Sequence, residues 1–238
     1  MINFAARGLI TAADWKACTD PAPLLHFVRN KGTISQWRAF AVACCRRIDH
    51  LITDERSRRA VYVAERLVQG IATQDEVVLA RDAAQAAEDE AKLAEYEGEA
   101  DAGFSITPKY AELCARWFAA IAARSALCQD PRKSDAPAGS SNAEFWWPSH
   151  EAAPAALKET TLARLGITQS DTRFRAAMRS ATNAANVELG IQCELLREIF
   201  DEFLGPPGDE GAWLPCGFDV GPSEPAEQWC LLPSARKG

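Results

Sequence analysis

The chain has 238 residues, a formal net charge of −7 and 47% hydrophobic content, which is enough to bury a core and argues against general disorder. Mean hydropathy is −0.20, and unbroken apolar runs such as Phe40 to Cys45 are far too short to cross a bilayer. A pI of 5.1 argues against a chain built mainly to hold nucleic acid, and Met1 to Arg7 lacks a secretory pattern, so a cytoplasmic location is expected.

The 44 alanines fall at helical spacing, and there is neither an alternating β-branched run nor an Asn-Gly or Asp-Gly turn, which predicts an all-α fold. Thr11 with Asp14 opens a short helix through Trp15 to Cys18. Asp20 followed by Pro21 starts a second helix, carrying Leu24, Leu25, Phe27 and Val28 and stopped by Gly32. Thr33 or Ser35 opens a third, whose expected apolar face is Trp37, Phe40, Ala41, Cys44, Ile48, Leu51 and Ile52. Thr53 is the expected cap of a fourth, with Asp54 and Glu55 in its first turn, Ala60, Val63, Ala64 and Leu67 inward, and Gly70 at its end.

Thr73 with Glu76 forms a capping box for a long helix to about Glu97, with a small-residue seam at Val77, Ala80, Ala84, Ala87, Ala91 and Ala94. Thr107-Pro108 starts another, with Tyr110, Leu113, Cys114, Trp117 and Ile121 on one side. Residues 129–150 read as a mobile loop in which Phe145, Trp146 and Trp147 dock back on the helices. A short helix follows near 152–165, and Ser170 is the expected cap of a last long one to about Phe203, with Phe174, Met178, Ala181, Ala185, Leu189, Cys193, Leu196, Phe200 and Phe203 as its stripe. The final 34 residues hold six prolines and six glycines, which predicts an irregular tail; Trp213, Phe218 and Trp229 in it suit either a strap over the helices or a docking peptide.

Trp15-Lys-Ala-Cys-Thr-Asp-Pro21, Phe40-Ala-Val-Ala-Cys-Cys-Arg-Arg-Ile48, Leu51-Ile-Thr-Asp-Glu-Arg-Ser-Arg-Arg-Ala-Val61 and Ala64-Glu-Arg66, with the later Leu195-Leu-Arg-Glu-Ile-Phe200, resemble a family of uncharacterised planctomycete proteins. The likeness is close over about 11–70 and looser over 180–200. After Phe200 the family pattern continues with Asn-Pro-Phe-Arg-Pro, whereas this chain has Asp201-Glu-Phe-Leu-Gly-Pro-Pro207. The resemblance implies a cytoplasmic helical protein and carries over no catalytic residue.

Charge is distributed unevenly. Residues 29–66 hold nine basic and four acidic side chains, and residues 67–103 hold two basic and ten acidic. Arg46, Arg47, Arg56, Arg58 and Arg59, with Arg66 beside them, are therefore the candidate ligand- or partner-binding residues, suited to a phosphate or nucleic-acid backbone. The alternative is that the acidic helix lies against the basic ones and neutralises them. The eight cysteines lack Cys-x2-Cys spacing and read as reduced thiols, with Cys44 and Cys45 in the core; His26, His50 and His150 are too scattered for a zinc site. No nucleotide-binding, zinc-protease or nucleophile-elbow motif occurs, so no catalytic residue, metal or cofactor is assigned.

The sequence thus predicts one multi-helix bundle of antiparallel helices over 11–204 and an irregular Pro/Gly-rich extension over 205–238. The expected role is a non-enzymatic protein-interaction, scaffold or accessory module with a protein partner. The alternative is a binder of nucleic acid or a phosphorylated ligand through the arginine patch.

Overall fold

The computed structural model describes residues 10–29, 31–103, 105–128, 148–204 and 212–213. Among them are eight α-helices: α1 (Ala12–Ala17), α2 (Pro21–Val28), α3 (Ile34–Arg47), α4 (Glu55–Val68), α5 (Gln74–Asp101), α6 (Pro108–Ser125), α7 (Pro148–Leu165) and α8 (Phe174–Leu204). The protein is an all-α helical bundle. No described helix is long and apolar enough to cross a membrane.

Local chemistry accounts for most of the helix starts. Thr11, Thr33 and Thr73 each accept the backbone N–H three residues on and are answered by Asp14, Gln36 and Glu76, closing three capping boxes. Asp20 and Thr107 cap helices that carry proline in the first turn. Helix α4 ends at Gly70, whose φ of +72° lets Gly70 N–H reach the Leu67 carbonyl and Ile71 N–H the Arg66 carbonyl.

Several boundaries differ from the sequence reading. Helix α3 stops at Arg47, and Asp49–Leu51 form a 3-10 turn, so Leu51 and Ile52 reach the core from the turn and not from the helix face. Asp54, not Thr53, caps α4, accepting Arg56 N–H at 2.8 Å, because its carboxylate also meets the Arg56 guanidinium. Helix α5 runs four residues past Glu97, α7 begins at Pro148 inside the expected loop, and α8 begins at Phe174. Residues 170–173 form turns instead, with Asp171 accepting Arg173 N–H at 2.7 Å.

Two residues of the tail are also regular. Ala212–Trp213 pair antiparallel with Ile10–Thr11, in register Ile10 with Trp213 and Thr11 with Ala212. Thr11 is extended because it is the N-cap of α1, which leaves its backbone free to pair sideways. The expectations for Phe145, Trp146, Trp147, Phe218 and Trp229 lie outside the described residues.

Helix α6 is the hub, packing on α5 and α7 and also against α3 and α4, while α8 closes the other side on α7, α2 and α3. The sequence spacing predicts a one-sided apolar stripe for α6, but Ala111, Ala115, Ala119, Ala120, Ala122 and Ala123 bury its flanks as well. Alanine permits this, since helices meeting over methyl groups approach closely. Gly98 serves the α5–α6 contact in the same way, for a Cβ there would collide with Leu113. On α5, Val77, Ala80, Ala84 and Ala87 are buried as expected, whereas Ala91 and Ala94 are half-buried.

The six described cysteines are free thiols. Cys44 and Cys45 are fully buried, and burial pushes the Cys44 thiol far up and the Cys45 thiol up to about 12. Cys44→Asp is expected to abolish cooperative unfolding followed by circular dichroism, since an unpaired charge would be sealed in the core. A variant that still melts cooperatively near the parental temperature would refute the α3 face assignment.

Candidate functional site

The arginines singled out in the sequence do not form a free cationic surface. Arg46 holds Glu65 of α4 with both its Nε and Nη2, and reaches Asp49 at 3.1 Å. Arg56 grips Glu90 of α5 through two bonds of 2.8 and 2.6 Å and also bonds Asp54. Arg58 donates to the Ile52 carbonyl at 2.7 Å and lies 3.8 Å from Glu55. Arg59 stands 3.8 Å from Glu76, which Arg66 bonds directly. The Arg56 guanidinium holds the Glu90 carboxyl below its ordinary range; Glu76 is lowered by the Thr73 N–H and then by Arg66. The basic α4 thus lies along the acidic α5, and their charges meet.

Arg47 differs from the others. It turns inward to Glu188 of α8 at 3.4 Å, and Glu188 is only 2% exposed with Oε1 lacking any partner. Burial raises the Glu188 carboxyl above its usual value, against the lowering effect of Arg47. One turn along α8, Gln192 is fully buried against α7. His150 Nδ1 donates to Gln192 Oε1, and Gln192 Nε2 returns a bond of 3.2 Å to the His150 carbonyl.

The reason for that second bond lies four residues along α7. Pro154 has no N–H, so it cannot close the helical bond to the His150 carbonyl. Gln192 supplies the missing donor from the neighbouring helix. Nearby, Ser149 Oγ and Cys45 Sγ both donate to the Ala122 carbonyl, at 3.1 and 3.2 Å. Burial lowers the His150 imidazole below its ordinary value, and its Nδ1 is taken by Gln192. The cluster therefore latches α7 to α8 and α6, and its thiol is too weakly acidic to act as a nucleophile.

Sequence reasoning missed Glu188 and Gln192. The signal was present: counting back by four from Phe200 and Leu196 lands on Gln192 and then Glu188, at core register. Among the described residues, no group of three or more His, Cys, Asp or Glu side chains is placed to hold a metal ion.

The outer face of α5 carries a third set. Leu79, Leu93 and Tyr96 are 71%, 60% and 57% exposed. They stand opposite the buried seam at the spacing 79, 82, 86, 89, 93, 96, with exposed Asp82, Ala86 and Asp89 between them. Val187 of α8, 65% exposed, and Ile71, 56% exposed between α4 and α5, are also open to solvent.

Comparison with protein-family models, with curated proteins and with solved structures found no match.

Two outcomes are expected from the latch. Gln192→Leu should cost about 1–3 kcal/mol in urea unfolding by stranding the His150 carbonyl, and adding Pro154→Ala should recover part of that loss, since the backbone N–H that alanine restores can close the helical bond. Strictly additive effects would show that the two are uncoupled. The raised carboxyl of Glu188 makes its contribution most favourable below the ordinary value of 4.5 and loses it as pH rises through the raised value. Glu188→Gln should therefore stabilise the protein at pH 8 by about 1 kcal/mol, with the gain vanishing below pH 4.5. A gain independent of pH would contradict this.

Proposed function

We propose that this chain is a non-enzymatic, cytoplasmic protein-interaction module that receives a basic amphipathic helix of a partner on the outer face of α5. The observation that carries the proposal is the row of exposed Leu79, Leu93 and Tyr96 on a helix whose opposite face is already packed. At a rise of about 1.5 Å per residue, Leu79 and Leu93 lie roughly 21 Å apart, a span that a helix of about four turns covers.

Charge supports the choice of partner. Glu76, Glu88 and Glu90 pair with Arg66, Arg124 and Arg56, but exposed Asp75, Asp89 and Glu97 have no ion pair among the described residues. Asp75 and Glu97 flank the apolar row and Asp89 lies within it, so all three would meet lysines or arginines on an incoming helix. The reading as a binder of nucleic acid or a phosphorylated ligand through Arg46, Arg47, Arg56, Arg58 and Arg59 is weaker, because a phosphate would have to displace carboxylates those side chains already hold.

Leu79→Lys combined with Leu93→Lys should leave the circular dichroism spectrum and melting temperature unchanged, as both side chains already face water. Affinity purification of the tagged chain from its own cells should then lose at least tenfold of a partner recovered by the unaltered chain. Equal recovery by both chains, or no partner for either, would contradict the proposal.

A further inference from the structure

A two-lobed cleft opens on the side away from the outer face of α5, where the Asp49–Leu51 turn and the start of α4 meet α5, α6 and α7. The inner lobe, about 250 Å³, lies over the α5–α6 contact and is walled by Ala87, Ala91, Ala94, Leu113, Ala119 and Ala120. Alanine keeps this lobe open, since methyl groups cannot fill the space left beside the first turn of α4. The outer lobe, about 520 Å³, runs between α6 and α7 past Ala115, Thr160 and Ala163. Leu51, Thr53 and Arg116 line both lobes, which adjoin at these residues.

The polar groups of the cleft differ from those of the arginine patch. Arg116 and Arg164, on α6 and α7, make no ion pair with a carboxylate among the described residues. Glu112 is the acidic group in the outer lobe, so two arginines face one carboxylate there, beside His50. In the inner lobe, Arg56 bonds both Asp54 and Glu90 and offsets one of their two charges. Ser57 also lines this lobe; it is 1% exposed, and its hydroxyl has no hydrogen-bond partner. A buried hydroxyl left unpaired is costly, and a polar ligand atom entering the adjoining lobe would relieve that cost.

We propose that the cleft binds a small amphipathic monoanion: a carboxylate held between Arg116 and Arg164, with an aliphatic body that enters the alanine-walled lobe and brings a hydroxyl or keto oxygen to Ser57. The net charge of the outer lobe fits one negative charge better than the two of a phosphate monoester. The lobes are of the size that encloses a small molecule of roughly ten carbons. Thr53 and the Leu51 side chain guide the body through the junction. The site is independent of the outer face of α5 and of any partner docked there.

Calorimetric titration with 10-hydroxydecanoate and with decanoate tests this directly. Both should bind saturably at one per chain, the hydroxylated compound at least threefold tighter, and 1-decanol should not bind. Arg116→Gln with Arg164→Gln should weaken the carboxylates at least tenfold. Ala91→Phe, which fills the inner lobe, should weaken both as strongly, with Ala94→Leu as the second variant if Ala91→Phe does not fold. Ser57→Ala should erase the preference for the hydroxyl. No saturable binding at millimolar ligand, or binding that neither the arginine pair nor the lobe-filling variants change, would overturn the proposal. A preference for the hydroxyl that survives Ser57→Ala would overturn the role of Ser57.

Discussion

Helix α4 presents its arginines to the acidic flank of α5, and the opposition of those charges determines what the rest of the surface offers. Arg56 and Arg66 reach across the contact to Glu90 and Glu76, while Arg46 ties α3 to α4 through Glu65. An exposed ion pair contributes little on its own. Several of them along one helix contact fix which flank of α5 turns inward, and with it the side on which Leu79, Leu93 and Tyr96 must stand. The acidic residues left over, among them Asp75, Asp89 and Glu97, lie on that outer face, where the proposed basic partner would meet them.

The second constraint is the abundance of alanine. Methyl-covered faces let α6 pack against α5, α7, α3 and α4 at once, which larger side chains would prevent. The same short side chains leave space beside the first turn of α4, where Ser57 lies without a partner. Where close packing alone would leave polar backbone unsatisfied, a side chain from a neighbouring helix completes it, as Gln192 does for the carbonyl opposite Pro154. Core formation and polar satisfaction are thereby linked across α6, α7 and α8.

Features governed by a few adjacent residues were legible in the sequence. The capping boxes at Thr11 and Thr73, the Asp20-Pro21 start and the glycine stop at Gly70 all depend on contacts within one turn, whereas the start of the third helix was narrowed only to Thr33 or Ser35. Choices between two neighbouring caps were not legible. Thr53 and Asp54 are both good N-caps, and the decision came from Arg56, whose guanidinium and N–H both favour the Asp54 carboxylate. The break after Arg47 was hidden because Leu51 and Ile52 continue the apolar spacing of α3 while belonging to a tighter turn. Glu188 and Gln192 were overlooked for a different reason: polar residues at core register become meaningful only when the partner helix is known, here Pro154 and His150 of α7. Arg116 and Arg164 carried no local signal at all, since being unpaired is a property of the fold and not of the neighbouring sequence.

Arginines engaged by carboxylates and arginines left open divide the surface into what holds the bundle and what can bind, and the rate of modification by phenylglyoxal reads that division residue by residue. Mass-spectrometric mapping at low ionic strength should find Arg116 and Arg164 modified first, with Arg46, Arg56 and Arg66 protected and released only as salt weakens their pairs. Preferential modification of Arg46, Arg56 and Arg66, or uniform rates across all five, would contradict that division and return the arginine patch of α3 and α4 to the position of a binding surface.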